Sequence, residues 1–277
     1  MVKKIIGCAD IHIKNLNGLK ELKESLGVFL SDCKKIVESC GGAENARIVV
    51  AGDIFDMKIN VTNESMLVAD WFMKGLNDIC TTYVIAGNHD YLVNNAERVD
   101  SLTPIFRMNE FRNVHFLDMD LGYQSGYIID DNIVWCLYSS FEDFASPDIT
   151  LVKAENPDKM FVGLIHADIA GAVLPTGQET GRGLDASMFK DMDFVIAGHI
   201  HKYQTIKKNG VPITYCSSLV QKDFGETVTH HGFVTWDLEN GNKSKFQEVD
   251  KLGRGFYKFS LNSIDDIDED KEELINY

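Results

Sequence analysis

The sequence predicts an α/β domain built as a two-layered β-sandwich flanked by helices. Its first half alternates strand-like and helix-like segments in a βαβαβ order, which is typical of a layered α/β domain. Its second half carries a series of further strand-like runs, more than a single parallel sheet accommodates well. A chain of 277 residues with 44% hydrophobic residues can bury a core of this size.

Three strands and two amphipathic helices are predicted in the first half. The strands fall at 3–8, 47–51 and 82–86. Apolar residues recur every three or four positions from Leu19 to Val37, which predicts a helix, and Gly41 and Gly42 supply a stop signal after it. The same spacing from Met66 to Ile79 predicts the second helix.

Strands dominate the second half. They are predicted at 114–117, 127–129, 133–138, 160–165, 193–197, 213–216, 232–237 and 255–260. The stretch from Gly171 to Gly183, with four glycines and one proline, predicts a long surface loop, and loops of this length are often functional. We assign residues 1–250 to one domain and residues 251–277 to a short acidic C-terminal segment.

The net charge indicates which classes of molecule the protein surface can attract. Lys and Arg number 27 against 42 Asp and Glu, which gives a formal charge of −15. Such a charge argues against broad nonspecific attraction to DNA or to anionic membranes, because clustered Lys and Arg carry that binding. It therefore counts against a nuclease, although two bound divalent cations would make the local charge met by a phosphate positive.

The same composition predicts a cytoplasmic protein without membrane association. The apolar runs are shorter than the roughly 18 residues that span a bilayer. The six cysteines are scattered, without CxxC pairs or the regular spacing of a disulfide framework. Reduced thiols in a cytosol fit this pattern best.

Five strand-like runs end in side chains that bind metals. These side chains are Asp10 and His12, Asp53, Asn88, His166, and His199 and His201. Polar groups at the carboxyl ends of different strands converge on one spot of an open α/β sheet. Glycine at 52, 87 and 198 lets the chain turn sharply and lets the backbone approach that spot.

This set of carboxylates, an amide and imidazoles suits a borderline divalent cation. Mn²⁺ is the first choice, with Zn²⁺, Fe²⁺ and Mg²⁺ as alternatives. Seven ligands are too many for one tetrahedral ion but suffice for two ions that share a carboxylate, and Asp53 is the predicted bridge. Each segment alone would also fit an ordinary turn. Their repetition at five strand ends favours the metal site.

As a set, the segments resemble the signature of the calcineurin-like metallophosphoesterases. The matching stretches are Asp10-Ile-His12, Gly52-Asp53-Ile-Phe-Asp56, Gly87-Asn88-His89-Asp90, His166 and Gly198-His199-Ile-His201. The resemblance implies a calcineurin-like four-layer αββα fold. It implies one ion held by Asp10, His12, Asp53 and His201, and another held by Asp53, Asn88, His166 and His199. His89 would face the phosphate outside both ligand sets.

Within that superfamily the chain is similar to the SbcD-type nuclease subunits. The similarity rests on Gly-Asp-Ile-Phe-Asp, on Asp193 to Lys202 and on Tyr215 to Glu226, and the last stretch looks most like bacteriophage versions. It implies a metal-dependent DNA exonuclease or endonuclease for recombination and repair, with an SbcC-type coiled-coil ATPase as partner. A homodimer is a further candidate assembly, and a phage-encoded chain would act in the host cytoplasm.

Such subunits commonly continue into a capping region that contacts DNA and a helical segment that docks on the ATPase. This chain stops at Tyr277. We therefore expect either that residues 251–277 begin a capping region that is cut short or that the protein is a minimal member.

His89 and Asp90 are the predicted catalytic residues. His89 would act as a general acid or stabilise charge at the leaving oxygen, and Asp90 would orient its ring. Two other functions compete with the DNA nuclease. A small-molecule or cyclic-nucleotide phosphodiesterase with the same metals is favoured by the acidic charge. An interaction protein whose metals only stabilise the fold is disfavoured by the complete ligand set.

Overall fold

The computed structural model describes residues 1–15, 18–92, 95, 98–249 and 255–256. In this part of the chain, two six-stranded sheets pack face to face and helices cover them, which confirms the predicted α/β sandwich. None of the helices described there is long and apolar enough to cross a membrane.

The first sheet is parallel at its centre and contains the N-terminal strands. Its spatial order is β12 (Lys243–Glu248), β11 (Gly232–Asp237), β1 (Lys4–Cys8), β2 (Ala46–Ala51), β3 (Thr82–Ile85) and β4 (Val114–Phe116). Strands β1 to β4 run parallel, with Lys4 beside Ala46 in the register of the first pair. β11 and β12 extend the sheet in antiparallel fashion.

The second sheet repeats this plan. Its order is β5 (Gly126–Asp130), β6 (Ile133–Tyr138), β7 (Met160–His166), β8 (Phe194–Gly198), β10 (Val211–Tyr215) and β9 (Gln204–Lys208). The four central strands are parallel, and the two edge strands are antiparallel to their neighbours. Parallel strands of both sheets therefore present their carboxyl ends, where loops can carry functional side chains.

Five α-helices accompany the sheets in the described part of the chain. They are α1 (Leu19–Ser39), α2 (Asn63–Asn77), α3 (Thr103–Met108), α4 (Leu117–Asp120) and α5 (Thr150–Glu155). The two long helices match the predicted ones. Gly41 and Gly42 both adopt positive φ after α1, and their amides donate to the carbonyls of Glu38 and Val37, so they end the helix as expected.

The core forms three layers. Apolar faces of α1 and α2 pack on the outer face of the first sheet, for example at Phe29 and Phe72. Residues such as Trp135 and Trp236 fill the space between the sheets, and Trp236 stacks on Phe194 of the opposite sheet. A third cluster lies around Tyr138 and Phe189 on the outer face of the second sheet. Two sheets fixed against each other in this way hold the loops of both at a constant separation.

Some elements differ from the predicted ones. The strands β9 and β12 were not predicted, because their lysine-rich sequences lack an apolar run, and lysines are common on exposed edge strands. The three short helices were not predicted either. The predicted strand at 255–260 lies outside the described residues except for 255–256, which are not in a strand, and most of the acidic segment 251–277 also lies outside them.

Candidate metal centre

The seven predicted ligands come together at the carboxyl ends of five parallel strands. Asp10 and His12 follow β1, Asp53 follows β2, and Asn88 follows β3 in the first sheet. His166 ends β7, and His199 and His201 follow β8 in the second sheet. Among the described residues, two groups of potential ligand atoms contain only predicted ligands. The first group is Asp10, His12 and His201, and the second group is Asp53, His166 and His199.

The first group is centred on the ring nitrogens of His12 and His201. Their Nε2 atoms lie 3.0 Å apart. Asp10 Oδ1 lies 3.5 Å from Nε2 of His201 and 3.9 Å from Nε2 of His12. Asp10 and His12 are nearly inaccessible to solvent and His201 is half-buried, so the three ligand atoms converge in a largely buried site.

The second group is centred on the carboxylate of Asp53. Its Oδ2 atom lies 3.2 Å from Nε2 of His166 and 3.7 Å from Nε2 of His12, so the carboxylate stands between the two groups. The Oδ1 atom of Asn88 lies 2.8 Å from Nδ1 of His199 at the edge of the same group. This position of Asp53 agrees with the predicted bridge, which stays a prediction.

Several of these residues have an unusual backbone conformation. Asp10, His12, Asp53 and His199 have φ values of 53°, 48°, 53° and 93°, in the left-handed region that side chains rarely occupy. Hydrogen bonds between the two loops hold this conformation. The amide of Asp10 donates to the carbonyl of Gly52, and the amide of His12 donates to that of Asp53, each at 3.0 Å. Strain of this kind clusters at functional sites.

Two glycines give the ligands room. Gly52 has a φ of 87°, and a side chain there would collide with the ring of His166. A side chain at Gly198 would collide with the carbonyl of Ala51 across the gap between the sheets. The prediction that glycines allow a close backbone approach is therefore correct at both positions.

Three of the four ligand histidines have a carboxylate close to a ring nitrogen. Nδ1 of His12 lies 3.4 Å from Asp56, and Nε2 of His199 lies 3.4 Å from Asp168. Nδ1 of His201 pairs with the carboxylate of Glu226. Such partners fix the orientation of a ligand ring and raise its basicity.

His166 gives the best test of whether the site suits a cation. Its Nδ1 lies 2.7 Å from the carbonyl of Ala51, and since a carbonyl only accepts, Nδ1 carries the hydrogen. When the ring is neutral, the lone pair is therefore on Nε2, which is buried and makes no hydrogen bond among the described atoms, although it lies 3.2 Å from Oδ2 of Asp53. An orphaned buried acceptor beside a carboxylate is what a metal ligand requires, so the residues present fit a divalent ion.

The electrostatics of the cluster also favour a cation. Burial lowers the pKa of His166 and His201, but the carboxylates of Asp53, Asp10 and Glu226 outweigh it and raise the two pKa values to about 9 and about 10. The same ion pairs hold the pKa of Asp10 and Asp53 below the ordinary range despite burial. The buried carboxylates thus attract positive charge strongly enough to protonate two imidazoles.

His89 lies beside these two groups and meets His12 and Asp56 in a third cluster of potential ligand atoms. Its amide donates to Asp53 Oδ1 at 2.7 Å, and its ring stands edge-on to His12 with centroids 5.0 Å apart. Nδ1 lies 2.6 Å from the carbonyl of Asp56, so Nδ1 carries a hydrogen and Nε2 is the nitrogen that can exchange a proton.

Asp90 does not orient this ring, contrary to the prediction. Its carboxylate is fully buried and accepts hydrogen bonds from the amides of Ile54, Phe55 and Gly87 at 2.9 to 3.2 Å. Burial and the charge of Asp53 raise the pKa of Asp90 to about 7. Asp90 therefore fixes the loops that follow β2 and β3, and the carbonyl of Asp56 holds the ring of His89.

Sequence reasoning missed four residues that contact the ligands. They are Asp56, Asp168, Lys222 and Glu226, of which Lys222 Nζ lies 3.3 Å from both Nδ1 of His12 and Oδ1 of Asp56. Asp56 and Glu226 fall inside stretches that carry the family resemblance, and this was the available signal. Lys222 also lies inside such a stretch, Tyr215 to Glu226, whereas Asp168 lies in no recognisable pattern.

The chain is similar to a known protein family and to solved structures of the same fold. A model of the calcineurin-like phosphoesterase family matches residues 3–203. A dimetal phosphatase from Danio rerio has a similar fold, with a TM-score of 0.53 over 85% of this chain and 92% of that one, at 13% sequence identity. At that identity the likeness concerns the fold alone.

Two relatives have similar sequences. Protein R555 of Acanthamoeba polyphaga mimivirus, whose function is uncharacterized, is 33% identical over 243 residues, which cover 86% of this chain and 17% of R555. The SbcD subunit of the nuclease SbcCD from Staphylococcus saprophyticus is 24% identical over 260 residues, which cover 86% of this chain and 66% of SbcD. This chain thus spans only a small part of R555, 17% of its length, and about two thirds of the length of SbcD.

Replacing Asp53 by Asn should impair both metal positions, because the carboxylate stands between the two ligand groups. Metal content, measured by elemental analysis after dialysis, and hydrolytic activity should fall together. The control is Asp191→Asn, an exposed carboxylate that pairs with Lys153 and is not in the ligand cluster. A variant that kept two tightly bound ions would contradict the bridging role.

Metal binding should release protons at pH 7. His166 and His201 are protonated there in the metal-free protein, because their pKa values lie above 7, and a cation must displace those protons. Apparent affinity should therefore rise with pH between 7 and the two pKa values. Calorimetric titration with Mn²⁺ in buffers of different ionisation enthalpy measures the release. Glu226→Gln should reduce it, and heats independent of the buffer would refute this electrostatic description.

Proposed function

The chain belongs to the calcineurin-like phosphoesterase family, and we propose that it is a metal-dependent DNA nuclease, an SbcD-like subunit that uses two divalent ions, Mn²⁺ in the first place. The observation that carries the proposal is the combination of the buried ligand cluster with sequence similarity to an SbcCD nuclease subunit over 260 residues. The reaction is the hydrolysis of a phosphodiester bond.

The ligand cluster suits this reaction through its chemistry. Two bound divalent ions would polarise the phosphate and lower the pKa of a water molecule between them. Asp10, Asp53 and the four ligand histidines would hold the ions, with Asn88 at the outer edge. The carboxylates of Asp56, Asp168 and Glu226 lie beside the rings of His12, His199 and His201, and Glu226 is hydrogen-bonded to its ring, so they would help to orient these ligands.

His89 is the residue we assign to the leaving oxygen. The hydrogen on Nδ1 is committed to the carbonyl of Asp56, which leaves Nε2 to deliver a proton or stabilise charge. Its ring stands 5.0 Å from that of His12, so it would lie beside the ions that His12 and the other ligands would hold. A general acid in this position assists departure of the sugar oxygen.

The partner and the location follow from the same proposal. An SbcC-type coiled-coil ATPase would supply most DNA contacts, because a chain with a charge of −15 attracts duplex poorly on its own. A homodimer is a further candidate assembly. The similarity to a mimivirus protein supports a viral origin, in which case the protein would work in the cytoplasm of a host cell.

A second candidate function is a small-molecule or cyclic-nucleotide phosphodiesterase. The acidic charge favours it, because a small nucleotide needs no extended basic surface. The same ligand cluster would serve both reactions.

One experiment separates the two candidates. Purified protein is incubated with Mn²⁺ and end-labelled linear DNA, and in parallel with a cyclic nucleotide and bis(4-nitrophenyl) phosphate. We expect slow cleavage of DNA that is abolished by EDTA and restored by Mn²⁺. Rapid hydrolysis of the cyclic nucleotide without DNA cleavage would overturn the nuclease proposal in favour of the second candidate.

Replacing His89 by Asn should separate chemistry from metal binding. The kcat on DNA should fall about 10²- to 10⁴-fold, as for loss of a general acid, while both ions remain bound. The loss should be smaller for esters with a nitrophenolate leaving group, which needs no proton. His115→Ala, on a half-exposed histidine of β4, is the control and should be nearly silent. Equal losses on both kinds of substrate would contradict the acid role.

A further inference from the structure

A cavity of about 510 Å³ opens beside the first ligand group. Asp10 and His12 form part of its wall, so the cavity is continuous with the candidate metal centre. Its volume lies within the range of about 300 to 1,000 Å³ that is usual for small-molecule sites. The sequence patterns that predicted the ligands gave no indication of it.

Apolar side chains line another part of the cavity. Leu22 of α1, Val220 from the loop after β10, and Phe256 line it. The side-chain amide of Gln221 binds both backbone groups of Phe256, accepting from its amide at 2.5 Å and donating to its carbonyl at 3.4 Å. These bonds fix the backbone of Phe256. Its ring, which is 38% exposed, lines the cavity and lies 5.1 Å from the ring of Phe224.

Two lysines stand at this cavity on an otherwise acidic protein. Lys14 Nζ lies 5.0 Å from the centre of the Phe256 ring and donates to the carbonyl of Lys222 at 2.8 Å. Lys222 also lines the cavity, and Glu21 is the acidic residue that lines it outside the ligand set. An aromatic face next to a lysine amine suits a base followed by a phosphate.

We propose that this cavity binds the nucleoside that remains attached to the scissile phosphate. Its base would pack against Phe256 and Val220, and the next phosphate of the strand would pair with Lys14. This inference rests on the proposed hydrolysis of phosphodiesters at the metal centre. His89, which we assign to the leaving oxygen, does not line the cavity, so the cavity lies free for the retained ester group.

The test compares three esters that share a nitrophenolate leaving group. They are methyl 4-nitrophenyl phosphate and the 5′- and 3′-(4-nitrophenyl) phosphates of thymidine, hydrolysed by the Mn²⁺-loaded full chain. One thymidine ester should have a kcat/KM about tenfold or more above that of the methyl ester, as stacking of one base provides. Equal kcat/KM values for all three esters would overturn the proposal.

Variants locate the effect in the cavity. Phe256→Ala and Val220→Trp should each lower the ratio of kcat/KM for the preferred thymidine ester to that for the methyl ester. Leu151→Ala, at an exposed position of α5, should leave the ratio unchanged. A ratio unaffected by both cavity variants would place base recognition elsewhere and refute the proposal.

Substitutions of two comparable lysines test whether Lys14 contacts the adjacent phosphate. Lys14 lies over Phe256 at 5.0 Å and Lys23 lies over Trp71 at 4.9 Å, so both amines stand over an aromatic ring at nearly the same distance. Lys14→Ala should raise the KM for a thymidine nitrophenyl ester that carries a second phosphate, and Lys23→Ala should not. Equal effects of the two variants would contradict a phosphate contact at Lys14.

The unmodified protein provides a measurement that no folding defect can obscure. Thymidine monophosphate should inhibit hydrolysis of the methyl ester about tenfold more strongly than inorganic phosphate does, because it adds a stacked base. Equal inhibition would refute the cavity proposal.

Cleavage of DNA without preference for thymidine esters would refute this inference alone. A thymidine preference without DNA cleavage would refute the nuclease alone.

Discussion

The attraction between two buried carboxylates and the histidines that surround them is the interaction on which this site depends. Asp10 and Asp53 follow neighbouring strands of the first sheet, whereas His166 and His201 come from the second. A buried carboxylate is costly unless a cation or hydrogen bonds compensate it. Both sheets must therefore keep their loops at a fixed distance, and the close packing between them, including Trp236 on Phe194, provides that constancy.

The loops after β1 and β2 bring the ligands together in strained backbone conformations, and hydrogen bonds offset the cost of that strain. Left-handed backbone at Asp10, His12 and Asp53 costs of the order of 1–3 kcal/mol per residue. Paired amides and carbonyls join the two loops, and the buried carboxylate of Asp90 accepts from three amides around them. Asp90 thus stabilises the backbone of these loops, and the carbonyl of Asp56 aligns the ring of His89.

An acidic protein can bind an anionic substrate when positive charge is concentrated at one place. The chain carries a charge of −15, yet its candidate metal centre would hold two divalent ions, and Lys14 and Lys222 stand beside it. Such local focusing attracts a phosphate without making the whole surface attractive to duplex DNA. This division is compatible with a catalytic chain that relies on a partner for extended contacts.

The sequence by itself determined the strand ends and their ligands, because strand periodicity, glycine turns and the chemistry of Asp, Asn and His are local properties. β1, α1, β2, α2 and β3 were predicted in order, and the ligands that follow these strands do converge. Tertiary structure alone decided which partner each imidazole meets, as in the contact of Glu226 with His201, and where the cavity beside Phe256 lies. Those contacts join loops that only the packing of two sheets brings together, and no local pattern encodes that geometry.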